Sequence, residues 1–399
     1  MILKSGLPFS LVRYGLAYDY PKLQSDIETD ILIVGGGISG ALMAYQLTEA
    51  NIKSVVVDAR SIGLGSTCAS TSLLQYDIDI PLCKLIEKIG RSNAERAYQY
   101  CKDAVARLID ISHRVNFIQT KSCPSLWYAA SEKDNDLIRD EFNARRAAGL
   151  SVEKLERKDL EGFGISASSA LKVPEAGKTN AYMLTHFLHQ YSIKKGLQVF
   201  DNTCVKTLFN QKKGLRVKTA NGHFIRANKI VFATGYESVK YISKKIVTLT
   251  STYAVASESI SGKESIWKDD MVIWNTANPY LYLATTEDRR ILIGGRDENF
   301  YSPQRRDQLI GWKRKHLVKD FRKIFPQIPF NPEFSWAGTF SSTKDGLPYI
   351  GQYPKMPGSY FALGYGGNGI LFSLVAAEII TEMIKGKKPV DAGLFAFDR

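Results

Sequence analysis

The sequence predicts an α/β fold with a parallel sheet of the Rossmann-like type, and three observations support this prediction. Residues 30–58 contain an apolar strand, a glycine-rich turn, an Ala/Leu-rich helix and a second apolar strand, in that order. A further buried strand of the same character occupies residues 229–233, and a glycine-rich segment precedes a long helix near residue 370. Apolar strands joined by helices are typical of parallel sheets that are covered on both faces.

The first strand and helix enclose a Gly-x-Gly-x-x-Gly motif formed by Gly35, Gly37 and Gly40. In such a motif the first glycine allows the tight turn and the second lets a phosphate approach the main chain. The third glycine lets the helix pack closely on the strand, while the N-terminus of the helix supplies free N–H groups and a partial positive charge. The motif therefore predicts a site for a pyrophosphate group.

The second strand of this unit, residues 54–57, ends on Asp58, which lies 18 residues after Gly40 (58 − 40). An acidic residue at about this distance is expected to bind a ribose hydroxyl. The same carboxylate would repel a 2′-phosphate, which disfavours NADP. From this unit alone both FAD and NAD remain open.

Two segments far from the first motif favour FAD over NAD. Ala233, Thr234 and Gly235 end a buried strand, and small residues there allow close approach to the main chain. Residues 362–370 contain four glycines and lead into the long helix, so they offer main-chain N–H groups and the start of a helix dipole. The alternative for residues 233–235 is an ordinary turn at the end of a strand, and the alternative for residues 362–370 is a flexible turn before a terminal helix.

Taken in order along the chain, these segments resemble the D-amino-acid-oxidase-like family of FAD-dependent oxidoreductases. The resemblance also includes Ile-Gly-Gly-Arg-Asp-Glu at 293–298 and Thr-Lys-Asp-Gly-Leu-Pro-Tyr-Ile-Gly at 343–351, and it covers essentially the whole chain. It implies a Rossmann-like FAD-binding domain and a second α+β substrate domain on a mostly antiparallel sheet. The implied ranges are 1–80, 155–245 and 336–399 for the FAD-binding domain, and 81–154 and 246–335 for the substrate domain.

The same resemblance implies a set of cofactor-binding residues and FAD that is not covalently attached. Neither attaching residue of the family, a histidine after Gly-Ser-Thr or a cysteine before Asp-Gly-x-Pro, stands at its expected place, since Cys68 and Thr343 lie there. The predicted cofactor-binding residues are Gly35, Gly37, Ile38, Ser39, Gly40, Asp58, Ala59, Arg60, Ser66, Thr67, Val205, Ala233, Thr234, Gly235, Asp345, Gly346, Gly364, Gly366, Gly367, Asn368, Gly369 and Ile370.

Three residues are the candidates on the substrate side. Tyr280 and Tyr282 alternate on one face of a predicted strand, where they form an aromatic wall or bind a carboxylate, or are ordinary strand aromatics. Arg296 is a candidate clamp for a substrate carboxylate. A surface ion pair with Asp297 or Glu298 is the competing interpretation of this arginine.

The predicted activity is oxidation of the C–N bond of an amine or amino acid by hydride transfer to flavin, with oxygen or a quinone or protein carrier as electron acceptor. Leu292 stands where such oxidases often have a cation for oxygen reduction, so a dehydrogenase remains open. The same fold acting on a 2-hydroxy acid, a polyol phosphate or a modified tRNA base remains open too. A flavin-binding subunit without catalytic activity is the last of the competing functions.

Composition narrows the partners of the chain. It has 399 residues, 44% of them hydrophobic, and no uninterrupted apolar run of membrane-spanning length, so no membrane span is expected. Its five cysteines are scattered without Cys-x-x-Cys spacing, which indicates a reducing cytoplasm and no metal site. The net charge is +13, and the densest basic stretch, residues 312–323, lies in the predicted helix at 303–324. Its lysines are interpreted as a solvated face, and nucleic acid is not an expected partner.

Overall fold

The computed structural model describes residues 1–211, 214–242 and 244–399. The described residues form these α-helices: α1 (Phe9–Tyr14), α2 (Ile38–Glu49), α3 (Leu82–Ile89), α4 (Arg91–Arg114), α5 (Asn135–Ala147), α6 (Arg157–Glu161), α7 (Ala181–Ile193), α8 (Pro303–Ile324) and α9 (Gly369–Ile384). The strands are β1 (Lys4–Gly6), β2 (Ile27–Val34), β3 (Ser54–Val57), β4 (Leu73–Gln75), β5 (Lys121–Tyr128), β6 (Glu153–Glu156), β7 (Ser169–Lys178), β8 (Gln198–Phe200), β9 (Val205–Asn210), β10 (Leu215–Thr219), β11 (Phe224–Phe232), β12 (Thr248–Ser257), β13 (Val272–Asn275), β14 (Tyr282–Thr285), β15 (Ile291–Glu298), β16 (Pro332–Ser342), β17 (Tyr349–Gln352) and β18 (Ser359–Leu363).

The first of two sheets has eight strands and contains the β-α-β unit. Its main order is β17-β18-β11-β2-β3-β8, and the β9–β10 hairpin extends it from β11. Strands β18, β11, β2, β3 and β8 run parallel, which matches the apolar character of β2 and β3. The helix α2 connects β2 to its parallel neighbour β3.

The second sheet has ten strands in the order β1-β16-β12-β15-β14-β13-β5-β7-β4, with β6 paired to β7. All its neighbouring pairs are antiparallel except β13 and β5. Helix α8 covers one face through buried residues that include Leu317 and Phe321. The predicted combination of a parallel Rossmann-like sheet and a mostly antiparallel sheet is confirmed.

The core of the first sheet is formed by helices packed on its strands. Leu42 and Leu47 of α2, Leu184 of α7 and Leu374 of α9 are fully or almost fully buried in one cluster with Ile33 of β2. By length and composition the segment Gly366–Ile384 is apolar enough to cross a membrane, but 67% of it is buried inside the protein. This segment is therefore part of the protein core.

The strand predicted at 54–57 and the helix predicted at 303–324 have the bounds of β3 and α8. The strand predicted at 229–233 is part of a longer strand, β11, which begins at Phe224. Its first half lies between β10, which precedes it across the turn at Asn221 and Gly222, and β2, while its second half lies between β18 and β2.

The division into two domains with the ranges given above remains a prediction. Strands β1, β4 and β7 fall within or mostly within the ranges predicted for the FAD-binding domain, yet they belong to the ten-stranded sheet. The chain therefore passes between the two sheets more often than those ranges imply.

Candidate active site

One large cavity, of about 720 Å³, is lined by loops of the eight-stranded sheet and by one face of the ten-stranded sheet. We call the part lined by residues 34, 35, 37–39, 58–60 and 203–206 the nucleotide part. The part lined by Asp79, Trp274, Tyr280, Tyr282 and Asp297 is called the sheet part. The loop at 366–370 also lines the cavity.

The glycines of the first motif leave room that side chains would fill. Gly35 has a φ of +111°, and a Cβ there would lie 2.4 Å from the carbonyl oxygen of Ala233. A Cβ at Gly37 would lie 2.7 Å from Oγ1 of Thr67, and one at Gly40 would lie 1.8 Å from the carbonyl oxygen of Gly35. Gly35 and Gly37 line the cavity, whereas Gly40 packs against the turn behind it. These places match the three roles predicted for the motif.

Asp58 lies in the nucleotide part and is held by main-chain groups. Its Oδ2 accepts a hydrogen bond of 2.7 Å from N–H of Gly36, and its Oδ1 accepts one of 2.8 Å from N–H of Arg60. Burial raises the pKa of Asp58, and these two hydrogen bonds oppose the rise. The carboxylate is thereby oriented at the end of β3, with lone pairs left for a hydroxyl group.

The start of α2 is fixed by a neighbouring loop. The N–H of Ile38 donates to Oγ1 of Thr67 at 3.1 Å, which orients the first turn of the helix in the nucleotide part.

Most of the residues predicted to bind the cofactor line the cavity. Those that do are Gly35, Gly37, Ile38, Ser39, Asp58, Ala59, Arg60, Ser66, Thr67, Val205, Ala233, Thr234, Gly235, Gly366, Gly367, Asn368, Gly369 and Ile370.

Three further predicted residues are not brought to the cavity lining. The carboxylate of Asp345 binds the guanidinium of Arg399 at 2.9 Å. A Cβ at Gly346 would meet Ile80 at 3.1 Å, and Gly364, with a φ of +78°, is covered by Thr343. The Asp-Gly pair and Gly364 therefore support neighbouring loops, and none of the three lies in the cavity lining.

The glycine-rich loop before α9 is held in place by a short segment after β4. The N–H of Gly367 donates to Oδ2 of Asp79 at 2.9 Å, and the amide of Asn368 donates to the carbonyl oxygen of Asp77 at 2.5 Å. Asp77 is in turn paired with the buried guanidinium of Arg145. Thus an ion pair inside the protein fixes the loop that lines the cavity.

Both predicted tyrosines lie in the sheet part. Their ring centroids are 6.0 Å apart, and the ring of Trp274 contacts Tyr280 edge-on at 5.8 Å. The Tyr282 ring covers Gly294 on the adjacent strand, where a Cβ would lie 2.2 Å from the ring. The glycine of the Ile-Gly-Gly motif therefore makes room for this aromatic wall.

Arg296 points away from the cavity, and Asp297 takes the place expected for it. A β-bulge lies opposite β12 between Ser251 and Tyr253, and Arg296 adopts a φ of +56°. A bulge reverses the alternation of side chains along a strand. The guanidinium of Arg296 consequently binds Asp320 of α8, so the expected pair with Asp297 or Glu298 is wrong as well.

Asp79 and Asp297 are the acidic residues of the sheet part that sequence reasoning missed. Asp79 accepts hydrogen bonds from Gly367 and, at 3.3 Å, from the hydroxyl of Tyr280. Burial raises the pKa of Asp79, and these bonds oppose the rise. Burial likewise raises the pKa of Asp297 to about 6, with the hydroxyl of Thr252 acting against it.

Nothing in the sequence around Asp79 resembles a motif, so no local signal pointed to it. Asp297 belongs to the motif at 293–298, but strict strand alternation assigns it to the opposite face. Tyr236, which also lines the cavity, directly follows the predicted Ala-Thr-Gly segment. Its position next to that segment is the one sequence signal from which Tyr236 could have been predicted.

The residues that line the cavity fit FAD. Glycines 35 and 37 leave the main chain open to a phosphate, α2 presents its N-terminus, and Asp58 stands ready for a ribose hydroxyl. The volume lies within the usual range of cofactor sites, roughly 300–1,000 Å³. Residues 366–370 and the aromatic wall line the rest of the cavity.

Comparison with known proteins identifies the family. The family model described as DAO, FAD dependent oxidoreductase, matches residues 30–383. The glycine oxidase of Bacillus subtilis is 22% identical over 370 residues, which cover 92% of this chain and 96% of that protein. The gamma-glutamylputrescine oxidoreductase of Escherichia coli is 24% identical over 388 residues, or 92% and 86% of the two chains. The crystal structure of L-proline dehydrogenase from P. horikoshii has the same fold, with a TM-score of 0.79 and 19% identity over 93% of this chain and 97% of that one.

Proposed function

The chain belongs to the DAO family of FAD-dependent oxidoreductases, and we propose that it oxidises the C–N bond of a small amine or amino acid. When bound, the flavin accepts the hydride that leaves the carbon next to nitrogen. A substrate that arrives as an ammonium ion first loses a proton to water. The lone pair so freed forms the C=N bond as the hydride leaves, and water hydrolyses the resulting iminium ion to a carbonyl compound and ammonia or an amine. The role of this chain is to bind and orient the amine and to exclude water.

One observation carries the proposal: a single cavity joins the nucleotide part to a sheet part of aromatic and acidic side chains. Trp274, Tyr280 and Tyr282 form an apolar wall there. No arginine, lysine or histidine of the described residues lines that part. A 2-hydroxy acid or a polyol phosphate would bring further negative charge next to Asp79 and Asp297, which makes these substrates less complementary.

Noncovalent attachment of FAD is part of the proposal. Within the described lining the single thiol is that of Cys204, next to Val205 in the nucleotide part. Cys68 is buried and its sulfur contacts the carbonyl oxygen of Gly65. Acid precipitation of the holoprotein is expected to leave all flavin in the supernatant, and flavin that stays with the pellet would contradict this point.

Anaerobic reduction of the flavin tests the activity. The holoprotein is mixed without oxygen with amines, amino acids, 2-hydroxy acids and glycerol 3-phosphate, and flavin absorbance is followed. Bleaching by a nitrogen compound and by neither of the two hydroxy classes is the expected result. Bleaching by a hydroxy compound alone would overturn the proposal, and bleaching by none would favour a flavin-binding subunit.

The electron acceptor and the location complete the proposal. We propose oxygen or a quinone or protein carrier as acceptor and a cytoplasmic location, which the five free cysteines support. Reoxidation of the substrate-reduced flavin in air, compared with reoxidation by a soluble quinone, separates the acceptors.

A further inference from the structure

The sheet part of the cavity contains two carboxylates but no positive charge among the residues that the structure describes. Asp79 and Asp297 both line it, and no ion pair joins either to a described residue: Lys313, whose charge lowers the pKa of Asp297, is bound to Glu298 outside the lining. The lining cations are Arg60, Lys206 and Lys240, all in or beside the nucleotide part. Arg60 and Lys240 are already bound to Glu237.

Asp79 is held in a fixed orientation by donors on two sides. Gly367 donates to Oδ2 and Tyr280 donates to Oδ1. A Cβ at Gly366 would lie 2.2 Å from Oδ2, so the carboxylate rests directly on the glycine-rich loop. Two donors leave the remaining lone pairs of the carboxylate free for a further hydrogen bond from the cavity.

One more acceptor in the sheet part lacks a partner among the described residues. Oδ1 of Asp297 is buried, lines the cavity and accepts no hydrogen bond. Buried polar groups are nearly always paired, so an unpaired acceptor in a cavity indicates a ligand that donates to it.

The charge of that ligand follows from the surroundings. Burying an ionised carboxylate without a nearby cation costs free energy, and a second carboxylate nearby increases that cost. An ammonium group in the cavity offsets both the burial cost and the repulsion between the carboxylates. The rings of Trp274, Tyr280 and Tyr282 also attract it, because a cation is favoured near an aromatic face. A substrate carboxylate would meet Asp79 and Asp297 without any positive partner.

On the basis of the proposed function, we propose that the sheet part selects a cationic amine without a carboxylate group, and that Asp79 binds its ammonium group. Asp297 then supplies a second negative charge for the same cation or for a further cationic group of the substrate. In this respect the site differs from one built for an α-amino acid, which needs a cation for the carboxylate.

Matched pairs of compounds test this selection. The holoprotein is reduced anaerobically with methylamine and glycine, ethylamine and alanine, pyrrolidine and proline, putrescine and ornithine, and cadaverine and lysine. In each pair the two members differ by one carboxylate. For the pair that reacts best, the concentration that gives half-maximal rate of flavin reduction is expected to be about tenfold or more lower for the amine than for the amino acid.

The outcomes separate this inference from the proposed function. Faster reduction by the amino acids overturns the inference and leaves C–N oxidation standing. Reduction by no nitrogen compound overturns the proposed function and the inference together. Inhibition offers a second measure: tetramethylammonium is expected to compete with the amine, and competition by acetate instead would count against the inference.

The variant Asp79→Asn tests the assigned residue. Asparagine keeps an oxygen that accepts from Gly367 and removes the charge. The KM of the best amine is expected to rise about tenfold or more, with a smaller change in kcat and with unchanged flavin content. Glu298→Gln is the control, because Glu298 pairs with Lys313 of α8 outside the cavity lining. An unchanged KM in Asp79→Asn, or an equal rise in the control, overturns the assignment.

Discussion

The nucleotide part and the sheet part of the cavity are built in different ways. The nucleotide part consists mainly of main-chain groups from a short stretch of sequence, residues 34, 35, 37–39 and 58–60, at the ends of two adjacent parallel strands. The sheet part consists of side chains from separate segments, with Asp79 after β4, Tyr282 on β14 and Asp297 on β15. The predicted cofactor contacts therefore depend on main-chain groups, whereas the proposed substrate contacts depend on side chains.

The two parts also differ in charge. Arg60, Lys206 and Lys240 line or border the nucleotide part, where a pyrophosphate is expected. Burial raises the pKa of Glu237, but hydrogen bonds from Lys240, the terminal amino group and Arg60 lower it to about 2, so it is ionised there. In the sheet part the charged groups of the described lining are carboxylates. This polarity orients a dinucleotide and a cationic substrate in opposite parts of one cavity.

The largest expected effect is loss of the cofactor in Gly37→Ala. The added Cβ would lie 2.7 Å from Oγ1 of Thr67, which itself accepts from the N–H of Ile38 at the start of α2. The phosphate approach and the helix N-terminus are disturbed together, so FAD affinity is expected to fall at least about tenfold, or about 1.4 kcal/mol. Flavin-to-protein ratio and titration of the apoprotein with FAD measure this.

Gly311→Ala is the matched control for this substitution. Gly311 lies on α8, where an added Cβ meets nothing within 4 Å. It is expected to retain its flavin, and circular dichroism of both variants checks that the fold is intact. Full flavin occupancy in Gly37→Ala would show that close approach at this turn is not required.

The nucleotide part was predictable because its signals are local. The spacing of Gly35, Gly37 and Gly40, followed by Asp58, gives strand, turn, helix and acidic residue in one continuous stretch. Each of these residues acts through a main-chain property or a position at the end of a strand. The parallel sheet follows from the same stretch, since residues 31–34 of β2 and 55–57 of β3 are continuous apolar runs that are buried.

The sheet part was only half predictable, for a physical reason. Tyr280 and Tyr282 lie two residues apart, and this spacing predicted that they share a face. Asp79 instead contacts Tyr280 and Gly367, which are about two hundred or more residues away in the sequence (280 − 79 and 367 − 79). Such contacts depend on how the two sheets come together. Arg296 was assigned to the cavity because regular alternation was assumed, and the bulge reverses it.

A second prediction concerns the cost of keeping Asp297 in the cavity. Its pKa is raised to about 6 from the ordinary value of 3.8, by burial and by Asp79, while Thr252 and Lys313 oppose the rise. An acid with a raised pKa in the folded state stabilises the fold at low pH and loses that contribution as pH rises from about 4 to 6. Asp297→Asn is therefore expected to raise the free energy of unfolding at pH 8 by about 1–3 kcal/mol.

Urea denaturation at pH 4.5 and pH 8 measures this difference. The gain in Asp297→Asn is expected to be larger at pH 8, whereas the control Glu298→Gln, which breaks a pair with Lys313, is expected to lower stability. A stabilised Asp297→Asn variant with a higher KM for the amine would identify Asp297 as a group kept for binding at the expense of stability. A loss of stability at pH 8 would contradict the idea of an unpaired carboxylate.

The smallest expected effects are those of substitutions at Arg296. Its pair with Asp320 is partly exposed, with the arginine side chain 32% exposed, so Arg296→Ala is expected to lose about 1 kcal/mol or less. Arg296→Gly removes the same pair, but glycine adopts the φ of +56° without strain and is expected to recover part of that loss. Flavin content and the KM for the amine are expected to stay unchanged in both variants, as urea denaturation and steady-state assays measure. If either variant raised that KM as Asp79→Asn does, Arg296 would contact the substrate, and the bulge would not separate the arginine from the cavity.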